Sequence, residues 1–365
     1  MSSNSIGKAF AVTLFGESHG KCVGVIIDGC PAGLPLTESD IQAELDKRKP
    51  GVSEVVSPRA EEDRVEIFSG VFNGFTTGAP LCLLVWNKEA ESASYEAIKT
   101  KPRPGHADYP VFVKYGGFSD YRGGGRFSGR ITIAFVMAGA VAKKLLATLG
   151  VETIAHTVEI GGVKIKRSSS VDKIKREVYR NPVRCADPEV ARKMEEAILK
   201  AKHEGDSVGG IVECIATNVP AGVGSPIFDS LDADTAKLLF DIPAVKGVEF
   251  GAGFEAARLK GSENNDPYAL RGGKVVTLTN NAGGILGGLS TGMPITIKVA
   301  FKPTPSIRKR QKTVDLKKMR ETEIAFAGKC DPCIVPRAVP VVESVVAIVL
   351  ADHLLRDHLL PKVLK

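Results

Sequence analysis

The chain has 365 residues, 43% hydrophobic and 25% charged, with a formal net charge of +7. That composition describes a soluble globular protein with material for one large domain or two ordinary ones. Seven cysteines, an odd number without framework spacing, exclude a disulfide scaffold and predict reduced thiols in the cytoplasm.

The first twelve residues carry no apolar segment leading to a small-residue cleavage site, so no signal peptide is expected. Residues 338–351 are the most apolar stretch, but Glu343 interrupts them and they are expected to be too short to span a bilayer. The basic balance suits nucleic acid or a pocket for small polyanions. Thirty-eight glycines against one tryptophan imply many tight turns and close backbone approaches.

In chain order, an apolar strand-like run leads into Gly16-Glu17-Ser18-His19-Gly20. Its glycines permit a sharp turn that presents Ser18 and His19, and histidine is the natural proton donor near neutral pH. The spacing is not that of a nucleophile elbow. A strand is expected at residues 23–28. Thr37 then caps a helix over 37–47, with Asp40 three residues on and Pro50-Gly51 as the stop. Strands are expected at 65–67 and 81–85.

Arg103-Pro104-Gly105-His106-Ala107-Asp108-Tyr109 places a guanidinium fork, an imidazole and a carboxylate on one loop. Residues 120–130, Asp-Tyr-Arg-Gly-Gly-Gly-Arg-Phe-Ser-Gly-Arg, are the most informative run. Glycine-rich backbone can turn N–H groups toward an anion, and an apolar helix opening after Arg130 adds its positive end. A flexible RNA-binding Arg-Gly segment is the rival reading.

A helix starts at Asp187-Pro188, shows an apolar face of Val190, Met194, Ala197, Ile198 and Ala201, and stops at Gly205. Strands at 210–216 and 295–301 and a short helix at 232–240 follow. Gly251-Ala252-Gly253-Phe254-Glu255-Ala256 fits the loose dinucleotide fingerprint, but too little chain precedes Gly261 for the helix it requires. The loops 280–288 and 302–306 suit a phosphorylated ring cofactor. Cys330-Asp331-Pro332-Cys333 has neither a second ligand pair nor a thioredoxin-like context, so no metal and no working dithiol are assigned. A second apolar helix is expected after Arg337. This succession predicts an α+β fold with mainly antiparallel pairing.

The order of elements repeats. Gly24-Val25-Ile26-Ile27-Asp28 leading to Pro31-Ala32-Gly33-Leu34 is echoed by Gly210-Ile211-Val212-Glu213 leading to Pro220-Ala221-Gly222-Val223. Thr76-Thr77-Gly78-Ala79-Pro80-Leu81 is echoed by Ser290-Thr291-Gly292-Met293-Pro294-Ile295. One domain over 1–365 is expected, with pseudo-twofold repeats at roughly 7–150 and 205–355 and the polar segments near a shared cleft between them.

Six of these strings, in order from Gly7 to about Leu355, resemble the chorismate synthase family: 16–20, 103–108, 120–126, 280–288, 302–307 and 331–333. The resemblance implies a β-α-β sandwich of two antiparallel sheets around a helical layer, and a cytoplasmic homotetramer. It implies anti-1,4-elimination of phosphate from 5-enolpyruvylshikimate 3-phosphate with reduced FMN, in aromatic amino acid biosynthesis. NADPH or an external flavin reductase would supply the reducing power; no nucleic acid or membrane partner is implied. By family position, Ser18, His19, His106, Ser128 and Asp331 act in catalysis. Arg126, Phe127, Ser128, Gly287, Lys302, Pro303, Thr304, Pro305, Ser306 and Lys329 hold the flavin. Arg48, Arg103, Arg130 and Arg337 contact the anions of substrate or NADP. The chain departs from the family at Lys329 and Cys330 (usually Arg and His), at Phe127 (usually Ser), and at Glu54 (often Arg). A non-enzymatic FMN- or anion-binding relative is the alternative, and the presence of His19, His106 and Asp331 speaks against it.

Overall fold

The computed structural model describes residues 3–49, 55, 62–88, 93–96, 98–166, 169–328 and 331–364. Alternation of apolar side chains builds the first sheet. Val23, Val25 and Ile27 point inward and are fully buried, whereas Ile26 and Asp28 face out. The strands are β1 (Ser5–Ile6), β2 (Ala11–Gly16), β3 (Cys22–Asp28), β4 (Val65–Ser69) and β5 (Leu81–Trp86). They lie antiparallel in the order β1-β2-β3-β5-β4, with Val25 opposite both Leu14 and Leu83.

The second sheet holds β6 (Glu152–Ile160), β7 (Val163–Lys164), β8 (Gly210–Thr217), β9 (Val245–Phe250) and β10 (Ile295–Phe301). Its order is β9-β10-β8-β6-β7, again antiparallel throughout. β10 alternates cleanly, burying Ile295, Ile297, Val299 and Phe301. Without the two short edge pieces, the sheets read β2-β3-β5-β4 and β6-β8-β10-β9, the same connection order twice.

The helices fill the space between. α1 (Glu38–Arg48) starts where expected: the Asp40 carboxylate accepts from the backbone N–H and hydroxyl of Thr37, both at 2.8 Å. α2 (Thr132–Ala147) packs on β3, and α5 (Val335–Arg356) packs on β6 and β8. α2 and α5 pack most extensively against each other. At Gly139 their backbones come so close that a Cβ would lie 2.1 Å from that of Ser344. α3 (Pro188–His203) buries Ala191, Met194, Ile198 and Ala201, and α4 (Leu231–Phe240) packs on α5. The result is a helical layer between two sheets, α+β as expected.

Charge is buried at the centre of this layer. The Lys143 ammonium lies 2.7 Å from Glu44 of α1 and 2.7 Å from Glu343 of α5. Glu343 also accepts the Ala155 N–H of β6 at 2.8 Å. Burial opposes the Lys143 charge, but the two carboxylates outweigh it and raise its pKa above the usual lysine range.

Three expectations need correction. Arg337 lies in the first turn of α5, not ahead of it. The apolar stretch at 338–351 belongs to a 22-residue helix, long and apolar enough by composition to cross a membrane. Ninety-four per cent of its apolar window is buried inside the protein, which makes it a core helix. The nine-residue strand β6 was not anticipated.

Candidate active site

A cavity of about 500 Å³ opens where the two halves meet. Its first wall is the segments around residues 103–107 and 123–132, with Arg48 and Tyr95. Its second is the α4–β9 turn, the loop after β10 and the start of α5. Among the described residues, Arg48, Arg103, Arg126, Arg130, Lys246, Lys302 and Arg337 line it, against two carboxylates, Asp241 and Asp331.

The glycine-rich run explains how its far side is built. Gly123, Gly124 and Gly125 all have positive φ, at 60°, 83° and 54°, which residues with a Cβ adopt only with strain. The chain thereby makes a tight, non-helical turn through these glycines that passes between the two candidate histidines. A Cβ on Gly123 would fall 2.3 Å from Cδ2 of His19 and 2.6 Å from Oγ of Ser18. A Cβ on Gly124 would meet Cε1 and Nε2 of His106 at 3.3 Å. Ser18 and His19 therefore sit one layer behind the wall, in the β2–β3 turn, whose Ser18 N–H donates to the Gly125 carbonyl at 3.2 Å. His19 also meets the ring of Tyr95 edge-on, with centroids 5.3 Å apart.

His106 is held by its own loop. Its Nδ1 lies 2.5 Å from Asp108, and Asp108 receives a two-pronged bond from Arg103, each N–O distance 2.8 Å. Burial works against the Asp108 carboxylate, but the bonds from Arg103 and His106 prevail and hold its pKa well below the usual range. With the carboxylate at Nδ1, the other ring nitrogen, Nε2, lies against Gly124 and 3.3 Å from Arg103 Nη2. Arg103 is also bonded to Ser306 at 3.1 Å and lies over the rings of Tyr95 and Phe326. Its guanidinium thus organises the loop as much as it offers an anion contact.

Arg48 and Arg130 share a buried partner that the sequence reading missed. Asp63 lies 3.0 Å from Arg130 and 3.6 Å from Arg48, while Arg48 also bonds Thr132 and the Gly129 carbonyl. Arg126 bonds the side-chain oxygen of Asn4, and Lys302 the carbonyl of Gly105, so their partners are neutral. Burial, then the charge of Lys246, push the Lys302 ammonium below the usual lysine range. Thr304, Pro305 and Ser306 line the same end, and the Thr304 hydroxyl is enclosed without a hydrogen-bond partner. Phe127 and Ser128 line the opposite wall, with Phe127 6.5 Å from Tyr115.

Asp331 reaches the cavity just ahead of α5 and accepts from Arg337 Nη1 at 2.7 Å. Pro303 is adjacent to the lining without joining it, and Gly287 lies on an exposed hairpin (Ile285–Leu286 with Leu289–Ser290) outside the wall. Lys329, Cys330 and Glu54 fall outside the described residues. Cys333 is fully buried, and burial pushes its thiol up to about 12, which keeps it protonated and unreactive. Among the described residues no cluster of three or more His, Cys, Asp or Glu could hold a metal ion. The strand preceding Gly251 leads only into a short 3₁₀ turn and a four-residue helix (Gly261–Asn264), which cannot support dinucleotide binding.

Asp63, Tyr95 and Lys246 are the functional-site residues without a local signal. They come from three separate segments, and only the closed fold brings Tyr95 and Lys246 to the cavity wall and Asp63 to the two arginines, Arg48 and Arg130, that line it.

The chorismate synthase family profile matches residues 10–355. A chorismate synthase of Dehalococcoides mccartyi is 56% identical over 363 residues, covering 100% of both chains. One from Methanosarcina mazei is 56% identical over 357 residues, 98% of this chain and 97% of the other. A crystal structure of chorismate synthase superposes with a TM-score of 0.78 at 33% identity, covering 96% of this chain and 93% of that one. End-to-end similarity of this depth, on the same fold, means that the chain belongs to the chorismate synthase family, the lyases that form chorismate in aromatic biosynthesis.

Proposed function

We propose that the cavity between the two halves binds 5-enolpyruvylshikimate 3-phosphate beside reduced FMN and removes the phosphate and a ring proton to give chorismate. The observation that carries this reading is the wall of seven cations with His106 in its lining and His19 directly behind Gly123. The substrate brings two carboxylates and a phosphate, and the flavin another phosphate. A dense basic lining binds such anions and stabilises the leaving group.

The donor set fits the flavin. Lys302, with the enclosed Thr304 hydroxyl and the chain through Ser306, offers a phosphate-binding end, and Arg126, Phe127 and Ser128 face it across the cavity. The chemistry bound reduced FMN supplies is transient electron donation to the substrate, with no net redox change.

The protein's own groups do the rest. His106 donates a proton from Nε2, its ring fixed by Asp108. His19 serves as the second proton donor, with Ser18 beside it. Asp331 is the carboxylate that accepts a proton, oriented by Arg337. Arg48, Arg103 and Arg130 hold anions of substrate or NADP. The Arg-Gly run lines a concave cavity of about 500 Å³, which favours small anions over RNA as its partner.

We assign the protein to the cytoplasm as a homotetramer. Exposed apolar side chains such as Phe72, Phe228 and Leu270 support subunit contacts. The flavin-binding role of Gly287 belongs to that assembly. The repeated strand order supports one domain built by duplication. We assign flavin reduction to an external reductase, with NADPH as the alternative reductant.

The test is anaerobic incubation of the protein with substrate and chemically reduced FMN, beside an arm with FMN and NADPH. Phosphate release and chorismate are expected in the first arm and not with oxidised FMN alone. Folded protein that forms no chorismate under reduced conditions refutes the reading.

A further inference from the structure

We infer that Asn87 is a positioning residue that locks the His19 turn to Arg130. This rests on the functional reading above and extends it to a residue outside the lining of the cavity.

Asn87 follows the last residue of β5. Its side-chain amide uses both ends at once. Nδ2 donates to the carbonyl of Glu17 at 2.9 Å and to that of Gly20 at 2.8 Å, the two residues that bracket Ser18 and His19. Oδ1 accepts from Nε of Arg130 at 2.5 Å. The partners fix the orientation of the amide, since two carbonyls demand the NH₂ and a guanidinium demands the oxygen. The backbone N–H of Asn87 adds a fourth bond, to the Lys21 carbonyl at 2.9 Å.

Only this side chain meets all three demands from one short stem. Aspartate offers no donor and sets a charge against two carbonyls. Glutamine is one methylene too long for a turn already packed against Gly123. The two groups that Asn87 joins have separate tasks, a proton donor on one hairpin and an anion-binding guanidinium 43 residues away. Asp63 then holds the other end of the same guanidinium. A displacement of about 1 Å at such a site is enough to lower turnover a hundredfold.

The experiment is a double-mutant cycle in anaerobic turnover with 5-enolpyruvylshikimate 3-phosphate and reduced FMN. Wild type, Asn87→Ala, Asn87→Asp, His19→Ala and the Asn87→Ala/His19→Ala pair are compared, with thermal unfolding of each. Asn87→Ala should lower kcat roughly 10- to 100-fold in the wild-type background and less than about 3-fold once His19 is gone. KM for the substrate should rise in Asn87→Ala through the loosened Arg130, and in Asn87→Asp because the new carboxylate offsets the Arg130 charge. Asn87→Asp should be at least as damaging as Asn87→Ala and, nearly isosteric, carries the test should the alanine variant not fold. Independent, multiplicative losses in the cycle, or normal kcat and KM in folded Asn87 variants, overturn the inference. Inactive wild-type protein would instead refute the functional reading, so the two failures are distinguishable.

Discussion

Gly123 and His19 are in contact so close that a methyl group on the glycine would overlap the imidazole, 2.3 Å from its Cδ2. A side chain there is also strained by the backbone, because Gly123 has φ 60°, a value that residues with a Cβ rarely adopt. Gly123→Ala should therefore displace His19 and Ser18. We expect turnover to fall at least a hundredfold, while stability drops by about 1–3 kcal/mol, the usual scale for overpacking. Anaerobic turnover beside thermal unfolding measures both. Near-normal turnover would mean that His19 need not stay where Gly123 holds it.

The His106–Asp108 bond gives a prediction in pH as well as in rate. Asp108→Asn turns one carboxylate oxygen into an NH₂ donor, so the side chain can no longer accept from both Arg103 and His106 Nδ1, and His106 is free to take the wrong tautomer. Turnover should fall roughly a hundredfold, the lower end of what a general acid contributes. The folded state holds the Asp108 pKa below its unfolded value. Its stabilisation is thus present above about pH 4, the ordinary aspartate range, and is lost as pH falls through the lower folded value. Acid unfolding followed by circular dichroism should show wild type losing stability below pH 4 faster than Asp108→Asn. Parallel curves would remove Asp108 from this account.

Lys143 tests the centre of the helical layer. Lys143→Met keeps an unbranched side chain, one atom shorter and uncharged, and leaves Glu44 and Glu343 facing each other. Breaking a buried pair on one side costs about 3–5 kcal/mol. The raised Lys143 pKa means its contribution is fully present below about pH 10, the unfolded lysine value, and fades only as pH rises through the higher folded one. The destabilisation should therefore be equal at pH 6 and pH 9 in urea unfolding. A loss that differed strongly between those pH values would point to another titrating group.

What the sequence discloses depends on whether a signal is local. The Thr37 cap, the Asp187-Pro188 start and the Gly205 stop were legible because each places its chemistry within a few residues of the element it ends. The loops carrying His19, His106 and Arg126 were legible for the same reason. β6 was not. It is covered on both faces, so Ile154, Ala155, His156 and Thr157 are all buried in succession and the alternation of a half-exposed strand is missing. The start of α5 was expected after Arg337, whereas the helix opens at Val335 with Pro336 in its first turn. Asp63 and Asn87 escaped because nothing around them marks either as important; their meaning lies in Arg130, 67 and 43 residues away.

The last prediction concerns Asp331, which sits just ahead of α5 and takes a bond of 2.7 Å from Arg337 in that helix's first turn. Lys329, two positions before Asp331, falls outside the described residues; among those described, Arg337 bonds Asp331 from six positions on. The difference matters because a guanidinium fixes direction as well as charge. Two variants separate those contributions. Asp331→Asn keeps the shape and the bond but removes the proton acceptor. We expect turnover to fall by two orders of magnitude or more, with FMN and substrate binding within about tenfold, or about 1.4 kcal/mol. Arg337→Lys keeps the charge and loses the planar fork, so the carboxylate is still balanced but no longer aimed. It should lower turnover about tenfold and leave FMN affinity nearly unchanged. Single-turnover kinetics and FMN titration of both variants, side by side, read the two effects apart. A full-rate Asp331→Asn would make the pair a structural cap on α5 and move proton acceptance elsewhere. Loss confined to substrate KM in Arg337→Lys would instead make Arg337 an anion contact, with Asp331 as its anchor.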